Sequence, residues 1–109
     1  MKINLRSEGN FDVLELNGEI DLHFSPQLRE HILASLKNGK ALLIDMANVS
    51  YIDSSGIASL VEGFQTAKSS NLHYGLLSIS DPALQVLTLT RLDQVFSLYD
   101  DITDFQEHV

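Results

Sequence analysis

Ala41-Leu42-Leu43-Ile44-Asp45, followed after a short interval by Asp53-Ser54-Ser55-Gly56-Ile57, is the stretch whose reading decides the fold. The first run is apolar without polar alternation, as expected of a strand covered on both faces in the middle of a sheet. From Ile57 the period changes: Ile57, Leu60, Val61 and Phe64 recur at i, i+3, i+4 and i+7, which is one stripe of a helix. The stretch therefore reads as strand, tight turn and helix, with the helix starting within one residue of Ser55. Two hydroxyls at that point can accept from the orphan amides of the first turn, so capping alone accounts for both serines. The same amides and the positive end of the helix dipole also favour a phosphate on a serine oxygen, an added charge of about −1.5 to −2. Local chemistry leaves both readings open.

Working outward, Ile3 and Leu5 alternate with polar neighbours as in an edge strand, Glu8, Gly9 and Asn10 supply a turn, and residues 11–17 form a second strand ended by Gly18. Residues 19–24 read as a loop with apolar anchors. Ser25 and Pro26 then open a helix, Ser25 capping and Pro26 in the first turn, with Leu28, Ile32, Leu33 and Leu36 at helical spacing and Asn38-Gly39 as the stop. Residues 46–52 read as a connection whose Val49 and Ile52 tuck beneath the sheet end. On the other side, residues 72–79 make a strand, Ser80-Asp81-Pro82 opens a helix carrying Leu84, Val86, Leu87 and Leu89, and residues 95–99 make a last strand. Asp100 and Asp101 cap a terminal helix with Ile102, Phe105 and Val109 inward. Such alternation predicts a single α/β domain over residues 1–109, with right-handed crossovers and a mixed sheet of about five strands with about four helices.

The chain has 109 residues, 44% of them hydrophobic and 20% charged, and no cysteine. That suits one folded domain and excludes disulfides and thiolate chemistry. Residues 1–6 lack a signal-peptide core and no apolar run approaches spanning length, so a cytoplasmic protein without membrane insertion is expected. The net charge is −8. It is uneven: residues 53–109 hold eight acids against only Lys68 and Arg91. No basic stripe exists for phosphate neutralisation, which argues against direct nucleic-acid binding and for an electropositive protein surface as partner.

Glycine-rich phosphate loops, the dinucleotide fingerprint and the nucleophile elbow are all absent. His23, His31, His73 and His108 are scattered without ligand spacing, so no catalytic metal and no cofactor are expected. Asp21, Asp45 and Asp53 fall at or beyond predicted strand ends, where open α/β sheets place their sites; His23 is the histidine nearest one of them. On the helix after Ser55, Ser55, Ser59, Glu62 and Thr66 lie opposite the apolar stripe, flanked by Gly56, Ala58 and Gly63. A small polar face of this kind lets another protein approach closely, or is simply solvated.

The run Val49-Ser50-Tyr51-Ile52-Asp53-Ser54-Ser55-Gly56-Ile57 resembles the signature of the STAS domain family, in particular the small single-domain anti-sigma factor antagonists. Asn17-Gly18-Glu19-Ile20-Asp21, Leu42 to Met46, and Leu92, Asp93, Val95 and Phe96 extend the likeness over most of the chain. Arg91 departs from it, since many relatives have glycine there. The resemblance implies a sheet with helices packed along it and a serine, Ser55 by position, phosphorylated by a cognate serine kinase, with an anti-sigma factor/serine kinase as partner. The unphosphorylated form binds that partner and releases the sigma factor; a phosphatase restores it. The partner face so implied comprises Asp21, His23, Asp53, Ser54, Gly56, Ala58, Ser59, Glu62 and Gly63, and weak homo-oligomerisation is left open. The alternative is a STAS subunit of an ABC lipid-transport system in which Ser55 is only a cap, with an enzyme using Asp21, His23 and Ser55 third.

Overall fold

The computed structural model describes residues 2–109, so Met1, the first residue of the expected domain, lies outside the described residues. In chain order these residues form β1 (Lys2–Ser7), β2 (Phe11–Ile20), α1 (Ser25–Lys37), β3 (Ala41–Ile52), α2 (Ser54–Ser69), β4 (Tyr74–Leu77), α3 (Asp81–Leu89), a 3-10 turn at Leu92–Gln94, β5 (Ser97–Tyr99) and α4 (Ile102–Gln106). The five strands lie in sequence order, β1 antiparallel to β2 and every later pair parallel. Because each parallel crossover steps one strand in the same direction, the right-handed rule lays α1, α2 and α3 on one face.

The pleat of β3 divides the core accordingly. Leu42, Ile44 and Met46 pack with Leu28, Ile32, Leu60 and Leu87 from the three helices. Ala41 and Leu43 point the other way, joining Phe11, Val13, Leu77 and Phe105. There α4 is the cover, its Phe105 ring edge-on to Phe11 at 5.2 Å and to Tyr99 at 5.3 Å. The expected fold class is observed: a mixed five-stranded sheet with four α-helices.

Several boundaries differ from the sequence reading, each for a physical reason. Residues 46–52 are not a connection but the second half of β3, paired with β2 as far as Ile20↔Ile52. Two register shifts, between Glu15 and Asn17 and between Gly18 and Glu19, insert extra β3 residues. Bulges therefore put the buried residues Met46, Val49 and Ile52 three apart, a spacing no regular strand shows. Gly18 does not end β2; with φ +104 it lies at one of these irregularities. Ser25 does not cap α1 by its side chain, which is buried. The Asp21 carboxylate takes the amides of His23 and Phe24 instead, each at 3.1 Å. In α3 Leu89 is 85% exposed, and Val109 after α4, expected inward, is exposed as well. Asp101, not Asp100, caps α4, accepting from the Thr103 amide at 2.9 Å. Arg91 takes the left-handed conformation, φ +61, that glycine adopts without steric cost.

Candidate functional site

The candidate site forms where β2 and β3 end side by side. The Asp53 amide donates to the Ile20 carbonyl at 3.1 Å, so the last rung of strand pairing holds Asp53 in an extended conformation. That is the backbone shape an N-cap needs. Its Oδ1 accepts from the amides of Ser55 and Gly56 at 2.9 and 3.1 Å, and from the Ser55 hydroxyl at 2.6 Å. The α2 cap is therefore Asp53, and the expectation that the serines cap this helix is corrected. Ser54 is exposed, and the half-buried Ser55 donates its hydroxyl proton rather than taking an amide.

Electrostatics follow from these bonds. The Ser55 hydroxyl, and after it the amides of Gly56 and Ser55, hold the Asp53 carboxyl below the usual carboxylate range against partial desolvation. The Leu22 amide contributes least. Asp53 is thus an anion throughout the neutral range, at the positive end of α2. Gly56 lets the helix start this close to the strand ends: a Cβ there would stand 2.6 Å from Ile20 Cγ2 and 2.7 Å from Ile52 Cγ1.

Of the three strand-end aspartates, Asp21 and Asp53 meet at this edge through the Ile20 pairing, whereas Asp45 lies well back along β3, its carboxylate accepting from the Ala47 amide. Beside Asp21 an open depression of about 490 Å³ is lined by Gly18, Glu19, Asp21, His23, Phe24 and Gln27. His23 is exposed there. Among the described residues no group of three or more His, Asp or Glu side chains is arranged to hold a metal.

The small polar flank of α2 divides. Ser54 and Ala58 are exposed beside half-buried Ser55 and Asp53. Ser59, by contrast, is only 6% exposed, its hydroxyl donating to the carbonyls of Ser55 at 3.2 Å and Ser25 at 3.3 Å. Glu62 forms a two-pronged ion pair with Arg29 of α1 at 2.7 and 2.8 Å. Gly63 meets Ile32 and Tyr74 so closely that an added Cβ would stand 2.6 Å from Ile32 Cγ2 and from the Tyr74 hydroxyl oxygen. Gly56, Ser59 and Gly63 are therefore removed from the candidate surface: α1 and the strand ends occupy that side. The sequence reading missed Leu22, taken as a loop anchor yet 72% exposed beside the site. The available signal was its setting between two polar residues, Asp21 and His23.

Known proteins share this architecture. The anti-sigma-B factor antagonist of Bacillus subtilis is 29% identical over 100 residues, covering 90% of this chain and 92% of that one. The crystal structure of an anti-sigma factor antagonist from Mycobacterium paratuberculosis superposes with a TM-score of 0.83 at 25% identity, over 99% of this chain and 92% of the other. The anti-sigma factor antagonist SpoIIAA in its unphosphorylated form has the same fold, with a TM-score of 0.84 at 18% identity over 98% and 95% of the two chains. Among the described residues no helix is long and apolar enough to cross a membrane. With the STAS domain profile matching residues 2–105, from the edge strand to the last helix, this chain belongs to the STAS domain family.

Proposed function

We propose that this protein is an anti-sigma factor antagonist, a non-enzymatic binding module switched by phosphorylation of Ser55. In the unphosphorylated state it binds an anti-sigma factor/serine kinase partner and so releases a sigma factor; a phosphatase reverses the modification. The observation that carries this reading is the division of labour at the start of α2. Because Asp53 supplies the cap, the Ser55 hydroxyl takes no helix amide and lies at a half-open surface. The similarity to anti-sigma-B factor antagonists supports the class of partner, and a structure of SpoIIAA in a phosphorylated form supports the type of switch.

The physics of the switch is desolvation. A partner face complementary to a neutral hydroxyl must bury the added charge, and an unpaired buried charge costs several kcal/mol. Each 1.4 kcal/mol is tenfold in affinity, so partial burial suffices to end binding. The proposed contact surface is Asp21, His23, Asp53, Ser54, Ala58 and Leu22 around Ser55, with Glu62 at its edge. The test is intact mass of the protein from its own cells with and without phosphatase, followed by titration of both forms against the partner co-purified with it. A phosphate on Ser55 and loss of binding are expected. Absence of modification, or equal affinity of both forms, overturns the reading.

A further inference from the structure

Ser55 is at once the residue to be modified and the donor that holds Asp53 in place, and a phosphate ends the second role. Transfer of a phosphoryl group from a nucleoside triphosphate forms an Oγ–P bond, breaks the bond to the leaving diphosphate and removes the hydroxyl proton. Oγ then has no hydrogen to give. Yet Oγ and Asp53 Oδ1 stand 2.6 Å apart, a separation that suits a shared hydrogen on a charged acceptor. With a doubly charged phosphate attached, the same separation sets like charges side by side.

Resting on the phosphorylation reading above, we infer that modification of Ser55 exchanges the cap of α2: the phosphate takes the amides of Ser55 and Gly56, and the Asp53 carboxylate is expelled onto the exposed face. The geometry of the cap and the charge of a phosphate carry it. The amides now held by Asp53, at 2.9 and 3.1 Å, are those nearest a group attached to Ser55. A phosphate has more charge and more acceptor oxygens than a carboxylate for the positive helix end. The carboxylate meanwhile loses the Ser55 hydroxyl, the strongest influence keeping it ionised. The inner side of this turn is closed, since even a Cβ on Gly56 would strike Ile20 and Ile52; on the outer side Ser54 and Leu22 are exposed and Asp53 is itself half-buried.

The consequence is that one modification presents two charged groups to a partner, the phosphate and a freed carboxylate. Asp53 acts as a positioning residue: it transmits the state of Ser55 to the surface. An aspartate at position 55 has one charge and a shorter reach, so it leaves the cap in place and mimics phosphate poorly.

The experiment uses the full chain with phosphoserine placed at position 55 during translation. Amide resonances of Ser55 and Gly56 and the Asp53 side-chain carboxyl resonance are followed by NMR from acid to neutral pH. In the unmodified protein the two amides should follow the low titration of Asp53. In the phosphoprotein they should follow the second phosphate ionisation, about pH 6, and the Asp53 carboxyl should titrate higher than before. Phosphorylated Asp53→Asn should keep the phosphate-linked amide shifts. The other titratable groups at this edge are Glu19, Asp21, whose carboxylate is engaged by two amides, and exposed His23. His23→Gln is the control that removes the exposed imidazole at this edge. Amides that still follow Asp53 and ignore the phosphate would overturn the exchange. Because the readout is on the isolated protein, a cap exchange without any change in partner affinity would sink the switch and spare this inference.

Discussion

The first turn of α2 and the flank of the same helix that faces α1 carry the same kind of residues, small and polar, and do opposite things. At the start of the helix Ser54, Ser55 and, one turn on, Ala58 lie at or near solvent beside an anionic cap. On the flank Ser59 and Gly63 are covered by α1 and Tyr74, and Glu62 is tied to Arg29. Small side chains therefore signal close approach without saying by what. One set leaves room for another molecule, and the other lets this chain pack upon itself.

The sharpest way to break the comparison is to add volume to each side. Gly63→Val drives carbon into Ile32 and the buried Tyr74 ring. It should cost roughly 3 kcal/mol or more, against roughly 5 to 15 kcal/mol for a whole domain. Ala58→Val, on the exposed side, should change stability by less than about 0.5 kcal/mol. Equal urea midpoints for the two variants would show that the flank is as open as the first turn.

A smaller effect is expected from the cap. Asp53→Ala should cost about 0.5 to 2 kcal/mol. The Asp53 carboxyl is depressed in the folded state, so its contribution is present above the ordinary carboxylate range and is lost as pH falls through the lowered value. The stability curves of wild type and variant should therefore converge in acid, and a gap that persists there would remove the ionised cap from the explanation.

On the flank, Tyr74→Phe deletes the buried hydroxyl that donates to the Leu60 carbonyl at 2.8 Å. The expected loss is about 1 kcal/mol. The same hydroxyl is one of the atoms a Cβ at position 63 would strike. A double-mutant cycle of Tyr74→Phe with Gly63→Ala should consequently show coupling, the pair costing less than the sum. Strict additivity would mean that Ile32 alone sets the limit.

The smallest stability change should come from the position proposed to carry the switch. Ser55→Ala loses one half-exposed hydrogen bond and gains helix propensity, for a net cost of about 0.5 kcal/mol, where loss of a serine cap would cost more. Its partner affinity should match that of the unphosphorylated wild type, and Ser55→Asp should weaken binding less than phosphoserine does. A large fall in thermal stability for Ser55→Ala would return Ser55 to a structural role.

Much of this was legible in the order of residues because local periods are a local property. Ile57 and Leu60 declared the buried stripe of α2, and both are in the core. The apolar run at Ala41 announced a central strand, which it is. Pairing was not legible in the same way. Met46, Val49 and Ile52 follow a three-residue spacing that arises only because β3 bulges against β2, and no local signal encodes the neighbour that receives a bulge.

The amino-acid sequence by itself determined the α/β class, the place where α2 begins and the presence of serine hydroxyls there, since the 3.6 and 2.0 residue periods and the turn chemistry act over a few residues. Tertiary structure decided which side chain caps that helix and which flank of it is free. Asp53 caps because pairing of its amide with the Ile20 carbonyl of β2 sets an extended backbone at that residue. Ser59 and Gly63 are buried because α1 comes to rest beside α2. Both outcomes depend on residues more than thirty positions away, whose contacts exist only once the sheet has assembled.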